Sequence, residues 1–170
     1  MPDSVNMDSI EARHREELRD SVDRMARAMA AMYFFLADEV TKAFGEEGRK
    51  ALARGIRRFG LYRGTRIRRR ADAAGAGPSL EAFRKFYDLP LGAAWKTRRW
   101  PIPDGQVSEI EYCPMAAEWE EMGAGEEALG YCAVDFAIAE GFDKRMVFSR
   151  ESSLPAGQNC CRHVVTLRKG

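Results

Sequence analysis

From Asp8 to Phe44 the chain holds helical spacing without interruption: Ile10, His14, Leu18, Val22, Met25, Met29, Met32, Leu36, Val40 and Ala43 step by three or four. At 1.5 Å per residue an unbroken helix of this length reaches roughly 55 Å. That is more than a domain of 170 residues can cover, so a bend or a protruding N-terminus is expected. The run commits the start of the chain to helix and makes it a candidate seam for a homo-oligomer. Met25, Met29 and Met32 read as ordinary core, and His14, on the same stripe, as a core or interface histidine rather than a ligand. Gly45 is the natural stop.

A second helix is predicted from Glu46 or Glu47, with Leu52, Ile56, Phe59 and Ile67 on one stripe, acids at its start and arginines toward its end. Gly55, Gly60 and Gly64 recur along it. An interior helical glycine costs about 1 kcal/mol relative to alanine, so the three point to close helix–helix approach or a pocket wall. Ala71 to Ser79 reads as a loop and Leu80 to Tyr87 as a short helix capped by Ser79. Leu89 to Asp104, with Pro90, Pro101 and Pro103, reads as irregular with room for one short strand.

After Gly105 the period changes. Val107 to Cys113 alternates as a strand, Met115 to Met122 and Glu126 to Glu140 read as helices, and Arg145 to Arg150 and Cys160 to Arg168 as strands. The fold class is therefore α+β: a helical N-terminal half packed on a small antiparallel sheet, with β-α-α-β-β order in the C-terminal half. The length suits one domain, 1–170. Its parts are an N-terminal helix (1–45), an arginine-rich helix and loop (46–104) and an α+β portion suited to catalysis (105–170).

Net charge is +1, but cutting the chain after Gly45, Trp100 and Asp143 gives pieces of −3, +10, −11 and +5. Opposite segments attract each other before they attract a partner, so the arginine helix is expected to lean on the acidic segment. A basic binding surface is the second reading and nucleic acid the third. Eight arginines between Arg54 and Arg70 form a phosphate-type stripe, yet no zinc-finger, helix-turn-helix, RRM or KH signature accompanies them, so no nucleic-acid partner is assigned. The longest apolar stretch, Ala28 to Ala37, has ten residues against the roughly 20 of a membrane span, so no membrane partner is assigned either. No signal peptide is readable after Met1, and four cysteines in a core-rich chain read as reduced thiols, so the expected location is cytoplasmic.

The residues suited to chemistry gather in the last third. A period of two puts Cys161 and His163 on one face of the final strand and Cys160 on the other. On the helix before it, Ala128, Cys132, Asp135 and Ala139 step by four, three and four, so thiol and carboxylate share a face. Packing would bring Cys132, Asp135, Cys161 and His163 together, with Cys113 arriving from the end of its strand. A carboxylate among Ala133, Val134, Phe136 and Ala137 either has a partner or has its pKa raised by desolvation. An imidazole oriented by a carboxylate activates a thiol, and the same Cys113, Cys132, Cys161 and His163 atoms suit zinc or another divalent metal. Neither spacing is diagnostic, since no CxxC is present. Core filling is an even alternative for any one cysteine, and the tryptophans, Trp119 among them, read first as packing and second as pocket wall.

The layout from Cys113 to His163 resembles the L-2-amino-thiazoline-4-carboxylic acid hydrolase family of bacterial proteins. The matching pieces are Cys113-Pro114, the Trp119 helix, Tyr131 to Asp135 (YCAVD), Gly141-Phe142 and Gly157 to His163 (GQNCCRH). Phe44 to Gly48 (FGEEG) and Arg63-Gly64 extend the similarity from Phe44 to the C-terminus. The chain departs from the family pattern at Gln158, where an acid is usual, and in doubling Cys160 and Cys161. The resemblance implies a hydrolase that opens a small cyclic, carboxylated amidine-like substrate at a C–N bond. In that reading Cys161 or Cys132 is the nucleophile, His163 the base and Asp135 its orienting or water-activating carboxylate. Arg63 or Arg66 would grip the substrate carboxylate, with Trp119 in the substrate wall. A metal-assisted version of the same reaction, and a non-enzymatic small-molecule or metal sensor of vinyl-reductase-like outline, are the alternatives.

Overall fold

A computed structural model describes residues 7–168. Helix α1 spans Met7–Ala73 and is broken once, at Gly45, whose φ of 54° and ψ of −132° lie where a side chain is not accommodated. The predicted stop is therefore a kink between two arms. The first arm buries Val22, Ala26, Ala30 and Ala37, whereas Leu18, Met25, Met32 and Leu36 are 56–59% exposed and His14 is exposed too. The expected methionine core is thus overturned. At 3.6 residues per turn the chain carries two apolar stripes about 90° apart, and the alanine stripe, which permits the closer approach, is the one that docks.

The second arm meets a later helix, α6 (Val134–Phe142), at glycine-width separation. A Cβ added at Gly60 would lie 2.5 Å from Ala137 Cβ, and one at Gly64 would lie 2.7 Å from Phe142 N and 2.8 Å from Gly141 C. Gly55 faces open space, so the close-approach reading holds for two of the three glycines. The basic arm does pair with the acidic segment: Arg57 reaches Glu140 at 2.7 Å and Arg68 reaches Asp143 at 3.5 Å, while on the first arm Arg27 bridges Glu118 and Glu121.

Helix α2 (Leu80–Lys85) starts under the Ser79 hydroxyl, which accepts from Ala82 N–H at 3.0 Å, and α3 (Leu91–Ala94) follows. Then come β1 (Lys96–Ile102), β2 (Gly105–Tyr112), α4 (Pro114–Met122), α5 (Gly125–Cys132), α6, β3 (Met146–Ser152), a 3-10 turn (Leu154–Ala156) and β4 (Cys161–Leu167). The strands form one antiparallel sheet in the order β1-β2-β4-β3. In the segment read as irregular with room for one short strand, the structure has a full strand, β1. Its Pro101 is tolerated because β1 is an edge strand. It also divides the predicted Glu126–Glu140 helix at Ala133. Two buried clusters flank the inner face of the sheet, one around Ile67, Ile138 and Phe142, the other around Ala30, Met115 and Trp119.

Candidate functional site

Between the sheet and these helices lies a cavity of about 420 Å³. Antiparallel register lines up one residue from each strand across its floor: Arg99 opposite Ser108, Ser108 opposite His163, and His163 opposite Arg150. Register partners share a face, so these four form a polar row crossing the sheet, and all four line the cavity. Cys161, two residues before His163, stands beside the row. Cys113, Cys132 and Asp135 complete the wall from the helical side, so all five residues predicted for the site meet one cavity.

Their pairing differs from the expected one. Asp135 lies 3.6 Å from Arg150 Nη2, and the same nitrogen donates to the Cys132 carbonyl at the end of α5. Burial raises the Asp135 pKa above the ordinary carboxylate value, and Arg150 and Arg63 oppose that rise. His163 is not held by Asp135. Its Nε2 is buried with no hydrogen-bond partner among the described residues, and its ring packs 4.8 Å from Phe148. Burial and the nearby Arg150 charge depress its pKa to about 4, which leaves a neutral imidazole at neutral pH.

The thiols are held protonated. Burial pushes Cys113 up to about 11, and it also raises Cys132, where the Asp135 charge adds to the effect. Cys161 is raised by burial as well, but its sulfur accepts Leu154 N–H at 3.2 Å, and Arg150 favours its thiolate. Trp95 Nε1–H points at Cys113 Sγ at 3.1 Å. Among the described residues no three His, Cys, Asp or Glu side chains gather in a metal-holding group. Cys113, Cys132, Cys161 and His163 line the cavity without forming such a group. Cys160 lies apart from the cavity wall, its sulfur 3.7 Å from Ser152 Oγ.

Of the expected substrate-binding residues, Arg63 is buried in the wall but committed to Asp88, with Nε–Oδ2 at 2.9 Å and Nη2–Oδ1 at 2.6 Å. Burial raises the Asp88 pKa and the Arg63 bonds outweigh it, so the carboxylate is held below its ordinary value. Arg66 lies outside the cavity, exposed, and donates to Tyr62 Oη at 2.8 Å. Trp119 does form wall. Its indole N–H is spent on Ala30 O at 2.9 Å, so it offers surface and no donor. Gln158, where the resemblance expects an acid, accepts Ser153 N–H at 2.7 Å, a bond a carboxylate makes equally well. Sequence reasoning missed Arg150, Ser108, Arg84, Arg99 and Asp88. For Arg150 the signal was present, since Met146, Phe148 and Arg150 alternate onto the face that His163 shares.

Comparison with solved structures finds others with a similar fold. A trafficking protein particle complex subunit 3 from Naegleria fowleri, covalently bound to palmitic acid, superposes with a TM-score of 0.54 at 12% identity, over 85% of this chain and 95% of its own. The phenol-responsive sensory domain of the transcription activator PoxR, solved with phenol, gives a TM-score of 0.54 at 13% identity over 84% and 74%. At such identities the likeness is one of fold. No curated protein matches the chain. The family model for L-2-amino-thiazoline-4-carboxylic acid hydrolase matches residues 24–164, a span that starts earlier than Phe44 and takes in every cavity residue named above. The chain belongs to the L-2-amino-thiazoline-4-carboxylic acid hydrolase family.

Proposed function

We propose that the protein is a hydrolase acting on a C–N bond of a small cyclic, carboxylated amidine-like substrate, with Cys161 as nucleophile and His163 as its base. The observation that carries the reading is the meeting of Cys161, His163 and Asp135 on one cavity within the matched family span. Cys161 is preferred over Cys132 because Leu154 N–H donates to its sulfur and favours its thiolate, a bond the Cys132 sulfur lacks among the described residues, while Arg150 favours and Asp135 disfavours both thiolates. Cys161 Sγ attacks the amidine carbon, and the thiol proton passes through His163 to the departing nitrogen. Water then adds to the same carbon, releases the product and returns a proton to sulfur. Arg150, already charged and fixed by Asp135, lies where it offsets negative charge during attack.

The test is incubation of the purified protein with L-2-amino-thiazoline-4-carboxylate and related cyclic amidines, with products followed by mass spectrometry in the presence and absence of chelator. Turnover that survives chelator and disappears in Cys161→Ser is expected. Full turnover in Cys161→Ser removes that residue from the role.

A second reading, a small-molecule sensor, is favoured by one observation: burial holds all three cavity thiols protonated. The fold likeness to a phenol-responsive sensory domain is compatible with it. Tight retention of a small molecule without multiple turnover is its signature. In either reading the outward stripe of Leu18, Met25, Met32 and Leu36 is assigned to self-association. A monomer by light scattering at high concentration would argue against that seam.

A further inference from the structure

The cavity contains two neutralised pairs and one uncompensated group of cations. Arg63 is matched by Asp88 and Arg150 by Asp135. At the other end of the polar row, Arg84 from α2 and Arg99 from β1 line the mouth, and neither has an acidic partner among the described residues. The acids of β2 are already engaged. Glu109 and Glu111 pair with Arg98 and Arg162 on the opposite face of the sheet, as the strand alternation requires. The Arg84 side chain has a single long hydrogen bond, to Gln106 Oε1 at 3.5 Å, and the Arg99 side chain has none among the described residues. The two arginines are thus neighbours, and partial burial first and the Arg84 charge second lower the pKa of Arg99.

We propose that Arg84 and Arg99 are the anion grip of this cavity and that its ligand is a carboxylate with an apolar body, its charged end at the mouth and its other end over His163 and Cys161. Two like charges left unpaired beside a cavity become favourable when a carboxylate bridges them, and arginine pairs suit that geometry. The span agrees with such a ligand. Strands lie about 4.8 Å apart, so Arg99 and His163, two strands apart in the row, are separated by roughly 10 Å at the backbone. Apolar surface flanks the row, supplied by Ile110 on one side and Val165 on the other, with Phe83 in the same cavity wall. The 420 Å³ volume falls within the range for ligands of drug size, roughly 300–1,000 Å³, and a lone five-membered ring fills only a fraction of it. The proposed hydrolase reading supplies only which end reacts; the anion grip stands without it. Arg63, saturated by Asp88, is replaced in the carboxylate role.

The experiment is calorimetric titration of the full chain with hydrocinnamate, with benzylacetone (its uncharged methyl-ketone counterpart) and with acetate. Wild type is compared with Arg84→Gln and Arg99→Gln, whose side chains are exposed and free of ion pairs, so the fold does not depend on them. Hydrocinnamate is expected to bind about tenfold or more tightly than benzylacetone, and each variant to lose that preference while holding benzylacetone as wild type does. Equal binding of acid and ketone by wild type, or retention of the acid's affinity in either variant, overturns the grip. Acetate binding as tightly as hydrocinnamate overturns the apolar body. None of these probes has a hydrolysable C–N bond. Failure here is therefore distinct from failure of the hydrolase reading, which turnover of the thiazoline reports separately.

Discussion

Arg150 of β3 and Asp135 of α6 meet at 3.6 Å across the cavity wall, and the same guanidinium takes the Cys132 carbonyl where the helical run divides. One side chain therefore neutralises the buried carboxylate, fixes the end of α5 and sets the electrostatics felt by His163 and Cys161.

Replacing it should be among the most damaging single changes in the site. Arg150→Gln leaves Asp135 without its cation in a setting that already disfavours charge, and breaking a buried pair from one side costs about 3–5 kcal/mol. Urea denaturation at neutral pH is expected to show a loss of that size. Asp135→Asn in the Arg150→Gln background should recover part of it, because the uncompensated charge is then gone.

How far the sequence foretold this wall depends on which side each element turns to the cavity. Cys161, His163, Cys132 and Asp135 lay on apolar elements, where a polar residue stands out against the period, and they were found. Strand β1 was foreseen only as room for one short strand, since its inward positions Thr97 and Arg99 line the cavity and its outward Arg98 pairs with Glu109, so no apolar alternation marks it. The division at Ala133 has no glycine or proline to announce it. It coincides with a carbonyl captured from another strand, a tertiary event invisible to local pattern. The methionine stripe was misread because two stripes of one helix both fit the period, and only packing selects between them.

The imidazole should leave its mark on stability against pH. Its pKa is about 4 in the folded chain against an ordinary 6.5, so between these values the unfolded chain holds more of the proton. Stability is then full above pH 6.5 and declines as pH falls toward 4, by roughly 3 kcal/mol when complete. Asp135, whose pKa is raised, acts with the opposite sign: its contribution falls as pH rises from the unfolded value to the folded one. The difference between wild type and His163→Gln, measured by denaturation across pH 4 to 7, isolates the histidine. A flat difference would remove His163 from a buried, neutral state.

Thiol chemistry offers an independent reading of the cavity. With Cys113 at about 11 against an ordinary 9.0, its thiolate fraction at pH 8 is roughly a hundredfold below that of an unfolded cysteine. Iodoacetamide labelling followed by peptide mass spectrometry should show slow modification of Cys113 and Cys132 in the folded protein and fast modification in urea. Carboxylate ligands at the mouth should slow it further.

The approach of α1 to α6 is testable with one methyl group. Gly64→Ala places a Cβ against the backbone of Ile138, Phe142 and Gly141, none of which can swing aside. Overpacking of this kind costs about 1–3 kcal/mol. The control is Gly55→Ala, whose added methyl meets nothing within 4 Å and which should stabilise the helix by about 1 kcal/mol. Thermal melts of the two variants should move in opposite directions.

The polar row has a consequence for how a chain of this kind changes its ligand. Arg99, Ser108, His163 and Arg150 stand at one height, one from each strand, and the ladder sets the place of each. Arg99, Ser108 and His163 can each be exchanged without disturbing the register that positions the others, whereas Arg150 is also tied through its side chain to Asp135 and the Cys132 carbonyl. The recognition surface is thus modular: charge at the mouth, polarity at the centre and acid–base character at the far end can drift separately on an unchanged scaffold.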